Sequence, residues 1–472
     1  MHAKRLLAAV LIACAACGGD KPKLPKRPPI LLMAVDGLEW SVLLPMVQRG
    51  EMPTVRALME RGVFGKLETF QPTASPIIWT TIATGKQADE HGIHGFTYED
   101  DAGATQLYVS ADRKVKAFWN VLTDYGLDCA VLGWWITWPA ERIDGLMVAQ
   151  TNTDAAEHDL LKGALSDKVE GQVFPPAEEK GALAVLKQVD GDLDGILERE
   201  YGLRPGAMPQ PETRLLDATR WSLRADETYL RIALDRLGRG DPPALTAIYT
   251  GGTDVIGHRF WRYAYPKEFK EPVPADRVEL FGGLLAATYR RVDRVLAQLL
   301  ERLPPDAIVL IVSDHGMHAV QMDNPFGAED KLVALLSGHH PDAPPGVVIA
   351  AGGCIQRPST PPDIDALQLD ALPTLASVLD VTPTLLALLG IPIGDDMHGR
   401  PRSEWIEPAC LQEGPPSTIP THESAKWQKQ RQRLRMQASE QEERLKQLRD
   451  LGYVDGDKGD TLKAPSEPQQ PK

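Results

Sequence analysis

The chain is expected to be an α/β protein whose mostly parallel central sheet carries helices on both faces. Three observations lead there. Two apolar runs, Pro29-Ile30-Leu31-Leu32-Met33-Ala34-Val35 and Ala307-Ile308-Val309-Leu310-Ile311-Val312, are continuous rather than alternating, as in strands buried on both faces. Strand-like and helix-like stretches alternate along most of the chain, as crossovers between parallel strands require. Both runs also end in residues that carry chemistry, Asp36-Gly37 after the first and Ser313-Asp314-His315-Gly316 after the second. In open α/β sheets the loops beyond the strand carboxyl ends are where ligands bind.

Taken in order, the strand ending at Val35 leads to an amphipathic helix with Val55, Leu58 and Met59 on one side, stopped by Gly62. A short strand near Phe64 to Phe70 precedes Gln71-Pro72-Thr73-Ala74-Ser75-Pro76 and an apolar helix from Ile77 to Ala83, closed at Gly85. Lys116 to Tyr125 reads as a helix and Cys129 to Trp134 as a strand. From residue 152 to 239 the texture turns charged and helical, with helices at Ala182 to Leu197 and Trp221 to Leu237, so this part is expected to be a helical insertion. Strand character returns at Ala244 to Tyr249, a long helix at Leu280 to Leu303, a strand at Val347 to Ala351 and a helix at Val381 to Gly390 with proline in its first turn. Ala425 to Asp450 is a charged helix expected to pack through Leu445 and Leu448.

The two ends read differently. Met1-His2-Ala3-Lys4-Arg5 followed by the apolar stretch Leu6 to Ala16 has the form of a secretory signal, too short to span a bilayer as a mature helix. It ends on cysteine at Cys14 or Cys17, in settings that resemble the bacterial lipobox, which implies an acylated N-terminus and a membrane anchor on the cell envelope. Residues 1–17 are thus assigned to a lipoprotein-type signal, 18–29 to a flexible tether, 30–410 to the main domain, 411–454 to a helical extension and 455–472 to a disordered tail. Beyond the signal only Cys129, Cys354 and Cys410 remain, enough for one bridge but not for a disulfide framework.

Composition narrows the partners. A chain of 472 residues, 43% hydrophobic and 25% charged, is an ordinary globular protein able to bury a large core. Its formal charge of -14 leaves no basic stripe for a nucleic-acid backbone, which excludes nucleic acid as a structural partner. An acidic surface does not repel divalent cations, and a cleft that holds two of them binds phosphate readily.

The acids and imidazoles placed after strands form one set. Asp314 and His315 offer a hard oxygen beside a borderline nitrogen, a pairing that suits zinc. After Tyr249, Thr253-Asp254-Val255-Ile256-Gly257-His258 spaces an Asp and a His four apart, on one face if the segment is helical. Asp36 adds a third carboxylate. The run Ser337-Gly338-His339-His340-Pro341-Asp342 supplies a further imidazole; His339 is preferred for its place near a strand, with His340 and His398 as rivals. Ser75, at the mouth of an apolar helix, is the candidate nucleophile because the free amides there favour an oxyanion; Thr73 is less well placed. The aromatic run Phe260-Trp261-Arg262-Tyr263 either holds an organic group of a substrate or packs the core.

The order of these motifs resembles the alkaline phosphatase superfamily. Asp36-Gly37, Thr73-Ala74-Ser75-Pro76, Ala83-Thr84-Gly85, His91-Gly92-Ile93, Asp254 with His258, Asp314-His315-Gly316-Met317 and His339 follow one another as in its type I phosphodiesterase and nucleotide pyrophosphatase branch. The similarity runs from Pro29 to Arg400. It implies two zinc ions, one held by Asp36, Ser75, Asp314 and His315 and the other by Asp254, His258 and His339. It further implies hydrolysis of a small phosphodiester or nucleotide pyrophosphate through a phospho-serine. A phosphomonoesterase or phosphoryl transferase on the same scaffold, or a non-catalytic envelope binding protein, are the alternatives. Two departures stand out. The asparagine that nucleotide pyrophosphatases carry after His-Gly-Ile has no counterpart in His94-Gly95-Phe96, and Ser75-Pro76-Ile77-Ile78 lacks the arginine of the sulfatase pattern.

Overall fold

Nine strands form the main sheet of the described residues: β1 (Ile30–Val35), β2 (Val63–Glu68), β3 (Cys129–Leu132), β4 (Gly145–Val148), β5 (Val173–Phe174), β6 (Leu245–Thr250), β7 (Ile308–Val312), β8 (Gly346–Ala351) and β9 (Thr374–Ser377). Their spatial order is β9-β2-β8-β7-β1-β6-β3-β4-β5. The computed structural model describes residues 24–150, 165–204, 219–320, 336–411 and 417–450, with Leu216 and without positions 102, 104, 168 and 341. The central strands β7, β1, β6, β3 and β4 run parallel. Antiparallel pairing is confined to β8, against β7 and β2, and to the edge strand β5. The architecture is the mixed α/β fold expected, with helices on both faces.

Helices on the two faces are α1 (Trp40–Gln48), α2 (Pro53–Arg61), α3 (Ser75–Thr84), α4 (Phe118–Tyr125), α5 (Glu179–Tyr201), α6 (Arg220–Gly238), α7 (Gly252–Ala264), α8 (Leu284–Leu300), α9 (Val381–Leu389) and α10 (Ala425–Asp450). Strand β1 explains the layering, because its side chains alternate between faces. Leu31, Met33 and Val35 join a core with Leu43 of α1, Leu58 of α2, Leu186 of α5, Tyr229 of α6, Phe260 of α7 and Leu296 of α8. Ile30, Leu32 and Ala34 join a second core with Ile78 of α3, Phe118 of α4 and Leu385 of α9. Every residue of β1 is buried, each large apolar one contributing roughly 1.5–3 kcal/mol.

The structure adds to several expectations. Two helices, not one, follow β1, because Trp40–Gln48 tolerates Pro45 in its interior; six of its nine residues are buried, which outweighs the lost backbone hydrogen bond. The insertion does contain its two helices, and it also adds β5 to the sheet edge, although residues 151–164 and 205–215 lie outside the described set. The charged helix α10 packs through Trp427, Leu434 and Ala438 against Val109, Ala111, Trp138 and Val169, whereas the side chains of Leu445 and Leu448 lie outside the described residues. The signal, half of the tether (residues 18–23) and the tail also lie outside them, while Leu24 in the other half packs on the second core rather than hanging free. No described helix is long and apolar enough to cross a membrane.

Two cysteines are joined. Cys354, just after β8, bonds Cys410 across a separation of 56 residues, which holds the segment leaving the core back onto the sheet. A loop of that length corresponds to about 4 kcal/mol in the chain-entropy picture. Cys129 is a buried free thiol in β3.

Candidate metal centre

Register brings the site together. Val35 of β1 pairs with Thr250 of β6, and Ala34 with Val312 of β7, so the three neighbouring parallel strands end at one level. Asp36, the start of α7 and Asp314-His315 are therefore delivered to the same edge of the sheet. Gly37 allows the closest approach, since it sits at φ +65 and a Cβ there would stand 3.0 Å from the Asp254 backbone.

Two groups of ligand atoms result, Asp36 with Asp314 and His315, and Asp254 with His315 and His340, each lying within 4.8 Å of one another. His258 closes on the second, its Nε2 3.3 Å from Asp254 Oδ1. The first cluster is buried and the second partly so, and both are able to coordinate divalent metal ions. The hydrogen bonding fits that use. Asp36 Oδ2 accepts from Trp79 Nε1 at 3.0 Å and from the Tyr249 hydroxyl at 2.5 Å, while its Oδ1 makes no hydrogen bond. Asp314 Oδ1 accepts from the Gly37 amide at 3.3 Å, and its Oδ2 likewise makes no hydrogen bond, nor do Asp254 Oδ1 and His315 Nε2, although His315 Nε2 stands 3.3 Å from Asp314 Oδ2 and 3.5 Å from Asp36 Oδ1. Four buried orphan atoms aimed into one place would be costly unless a cation completes them.

The imidazoles point the same way. His315 Nδ1 faces the Gly316 carbonyl at 2.9 Å and His258 Nδ1 the Gly338 carbonyl at 2.9 Å. His340 Nδ1 lies 3.2 Å from Thr73 Oγ1, whose own proton goes to the His340 carbonyl at 2.6 Å. Each Nδ1 must therefore donate, which leaves a lone pair on each Nε2 for a ligand. Burial lowers His258 to about 4 and His340 well below the usual range, so both rings are neutral near pH 7. The carboxyls show the opposite strain. Burial, then the charge of Asp36, pushes Asp254 up to about 7, and burial with the charges of Asp36 and Asp254 holds Asp314 well above its ordinary value.

The structure brings His340 rather than His339 into the cluster. Neighbouring side chains on an extended segment face opposite ways, and the His339 ring instead meets His318 edge-on, centroids 5.8 Å apart. His340 stacks on His315 at 4.1 Å. His398 lies elsewhere, its Nδ1 3.6 Å from Glu90. Replacing His340 with alanine is expected to weaken binding of one divalent ion by more than about 100-fold, against less than about threefold for His339→Ala. Titration against a competing chelator measures both; a larger loss from His339→Ala would reverse the assignment.

Ser75 is the first residue of α3, with Ala74 as N-cap and no side-chain cap hydrogen bond, so the helix does not consume the Ser75 hydroxyl as its cap. Its place is set from both sides. Trp79, one turn later on the same face, donates to Asp36, and Thr73, two residues earlier, is engaged with His340. Thr73 is thus a support for the imidazole rather than a rival nucleophile. Phe260, Trp261 and Tyr263 are all buried, Phe260 against Phe281 at 5.7 Å, so this run packs the core.

A model of the family described as Type I phosphodiesterase / nucleotide pyrophosphatase matches residues 30–376. The chain belongs to that family. It is accordingly a member of the alkaline phosphatase superfamily and a metal-binding, hydrolase-like scaffold. No curated protein matches it. Among solved structures it is similar to phosphonoacetate hydrolase from Sinorhizobium meliloti 1021, at 20% identity over 63% of this chain and 58% of that one, with TM-score 0.36. It thus spans less than two thirds of that enzyme's length. A substituted form of the alkaline phosphatase PafA aligns at 14% identity over 82% of this chain and 100% of that one, with TM-score 0.49. Human ectonucleotide pyrophosphatase / phosphodiesterase 5 aligns at 14% over 80% and 100%, with TM-score 0.43.

Residues that support the family's site here escaped notice in the sequence. Glu39 caps α1 through Ser41 N at 2.8 Å and also accepts Met317 N at 3.1 Å, tying the loop after β7 to the loop after β1. Tyr249 and Trp79 pack edge to face, centroids 5.4 Å apart, beneath Asp36. Trp79 was findable, because it lies one helical turn beyond Ser75; Glu39 and Tyr249 carried no comparable signal.

Proposed function

We propose that this chain hydrolyses small phosphodiesters, nucleotide pyrophosphates among them, through a phospho-serine formed on Ser75. The observation that carries the reading is the convergence of Asp36 Oδ1, Asp254 Oδ1, Asp314 Oδ2 and His315 Nε2, all buried atoms without a hydrogen bond, beside the helix that Ser75 opens. His315 has one lone-pair nitrogen and so serves one ion. Asp36, Asp314, His315 and Ser75 would hold the first, and Asp254, His258 and His340 the second, with zinc as the metal that suits this mixture of carboxylate and imidazole. When bound, such ions neutralise phosphoryl charge and lower the pKa of the serine hydroxyl.

The chain's own residues do the rest. Ser75 Oγ attacks phosphorus and the leaving alcohol or nucleotide departs; water then cleaves the phospho-serine to restore the hydroxyl. Asp36 is held for this by Trp79 and Tyr249, and His340 by Thr73, so donors are oriented before substrate arrives. The first residues, with Cys14 or Cys17, support export and lipid anchoring on the bacterial envelope, and the Cys354–Cys410 bridge accords with an oxidising compartment.

The test is a substrate panel. Bis-p-nitrophenyl phosphate is expected to be turned over with a higher kcat/KM than p-nitrophenyl phosphate. Monoester turnover equal to or above diester turnover would replace this reading with a phosphomonoesterase, and hydrolysis of neither by metal-loaded protein would leave a binding protein.

A further inference from the structure

The helix that carries Asp254 and His258 cannot cap itself. Its N-cap is Gly251, followed by Gly252, and no side chain of its own bonds the opening amides. The acceptors come from the insertion. Asp226, on α6, takes the Gly251 amide on Oδ1 at 2.9 Å and the Gly252 amide on Oδ2 at 3.0 Å. Gly252 makes room for this, since a Cβ there would stand 2.7 Å from Asp226 Oδ2. Asp226 sits where α6 is anchored to α8 and α5. Its neighbour Glu227 is bonded by Arg291 of α8 at 2.5 Å, and Arg291 also reaches Glu200 of α5 at 2.5 Å.

We propose that Asp226 is a positioning residue for the second ion: by gripping the N-cap amide and the first amide of α7 it sets Asp254 and His258 against His340. The helical insertion is then part of the metal site and not only a cover for the sheet. A carboxylate suits the task because both of its oxygens accept, whereas an amide offers one acceptor and would turn an N–H toward the other helix amide. Asp226 touches none of the ligands, so its effect passes through the first turn of α7. The inference rests on the two-ion reading above.

Cobalt titration of the full chain tests it, followed by visible absorption and by metal content at fixed free Co2+. The unaltered protein is expected to take up two ions. In Asp226→Asn, one ion should bind within about twofold of the original affinity and the other about 10- to 100-fold more weakly, with loss of its share of the cobalt bands. Asp226→Ser, with one short acceptor, should show the same selectivity and serves if the amide variant fails to fold. A general loss of structure would weaken both ions alike, and that outcome in both variants overturns the proposal, as does unchanged binding of both ions. Uptake of fewer than two ions by the unaltered protein overturns the two-ion reading itself, before any variant is made.

Discussion

Ser75→Ala is expected to lower kcat for a phosphodiester by on the order of 10³- to 10⁵-fold while the protein keeps its fold and both ions. The size follows from the role. Removing a nucleophile forces direct attack by water and loses the division of one hard displacement into two easier ones, but the charge-stabilising groups stay in place. Asp36, Asp314 and His315 still converge without the serine oxygen, so metal content should fall little. The fold should not notice either, since Ser75 is not the cap of α3, which opens after Ala74 and is stopped by Gly85 in the left-handed region, φ +68. Phosphate trapped on the protein by an acid quench, present in the unaltered chain and absent from Ser75→Ala, gives a second readout. Unchanged turnover in the variant would remove Ser75 from the mechanism.

Stripping the ions should destabilise the protein, and more so as pH rises. Asp36 and Asp314 are buried with Asp254 half-buried beside them, and without a cation their charges oppose one another. In the metal-free chain Asp254 is pushed up to about 7 and Asp314 well above the ordinary carboxylate value. Raised carboxyl pKa values mean that the folded form holds more protons than the unfolded form above about pH 4. Stability of the metal-free protein therefore falls as pH climbs from about 4 through 7, and below that window the penalty vanishes because both forms are protonated. The loaded protein has no such loss, because the ionised carboxylates face cations, each ion adding about 4 kcal/mol when present at a thousand times its dissociation constant. The gap in Tm between zinc-loaded and chelator-treated protein should be small at pH 5 and wide at pH 8. A gap of equal size at both, or none, would show that these acids do not surround ions.

Much of the fold was legible because burial leaves a pattern. Continuous apolar runs marked β1 and β7, and the Gly stops marked α2, α3 and α9. Trp40–Gln48 was missed because Pro45 argues locally against a helix, and only packing against the sheet overrides it. The described packing of α10 is likewise fixed by tertiary structure. A helix rich in charge has several weak apolar positions, and Val109 and Trp138, far away in sequence, select Trp427, Leu434 and Ala438.

The site divides along the same line. Residue chemistry and position after strands were enough to nominate Asp36, Asp254, His258, Asp314 and His315, and the mouth of an apolar helix to nominate Ser75, since these are local facts. Choosing between His339 and His340 was not local. Adjacent residues on an extended segment face opposite ways, and which way is inward is set by the pairing of His318 with His339 and by Thr73, which arrives from 267 positions away. Glu39, Tyr249 and Asp226 belong to this second kind: each is an ordinary residue in the sequence, and only the closing of loops and insertion over the sheet turns it into a support for a ligand. A one-dimensional pattern records what a residue can donate, whereas the partner that spends that capacity is decided by three-dimensional packing.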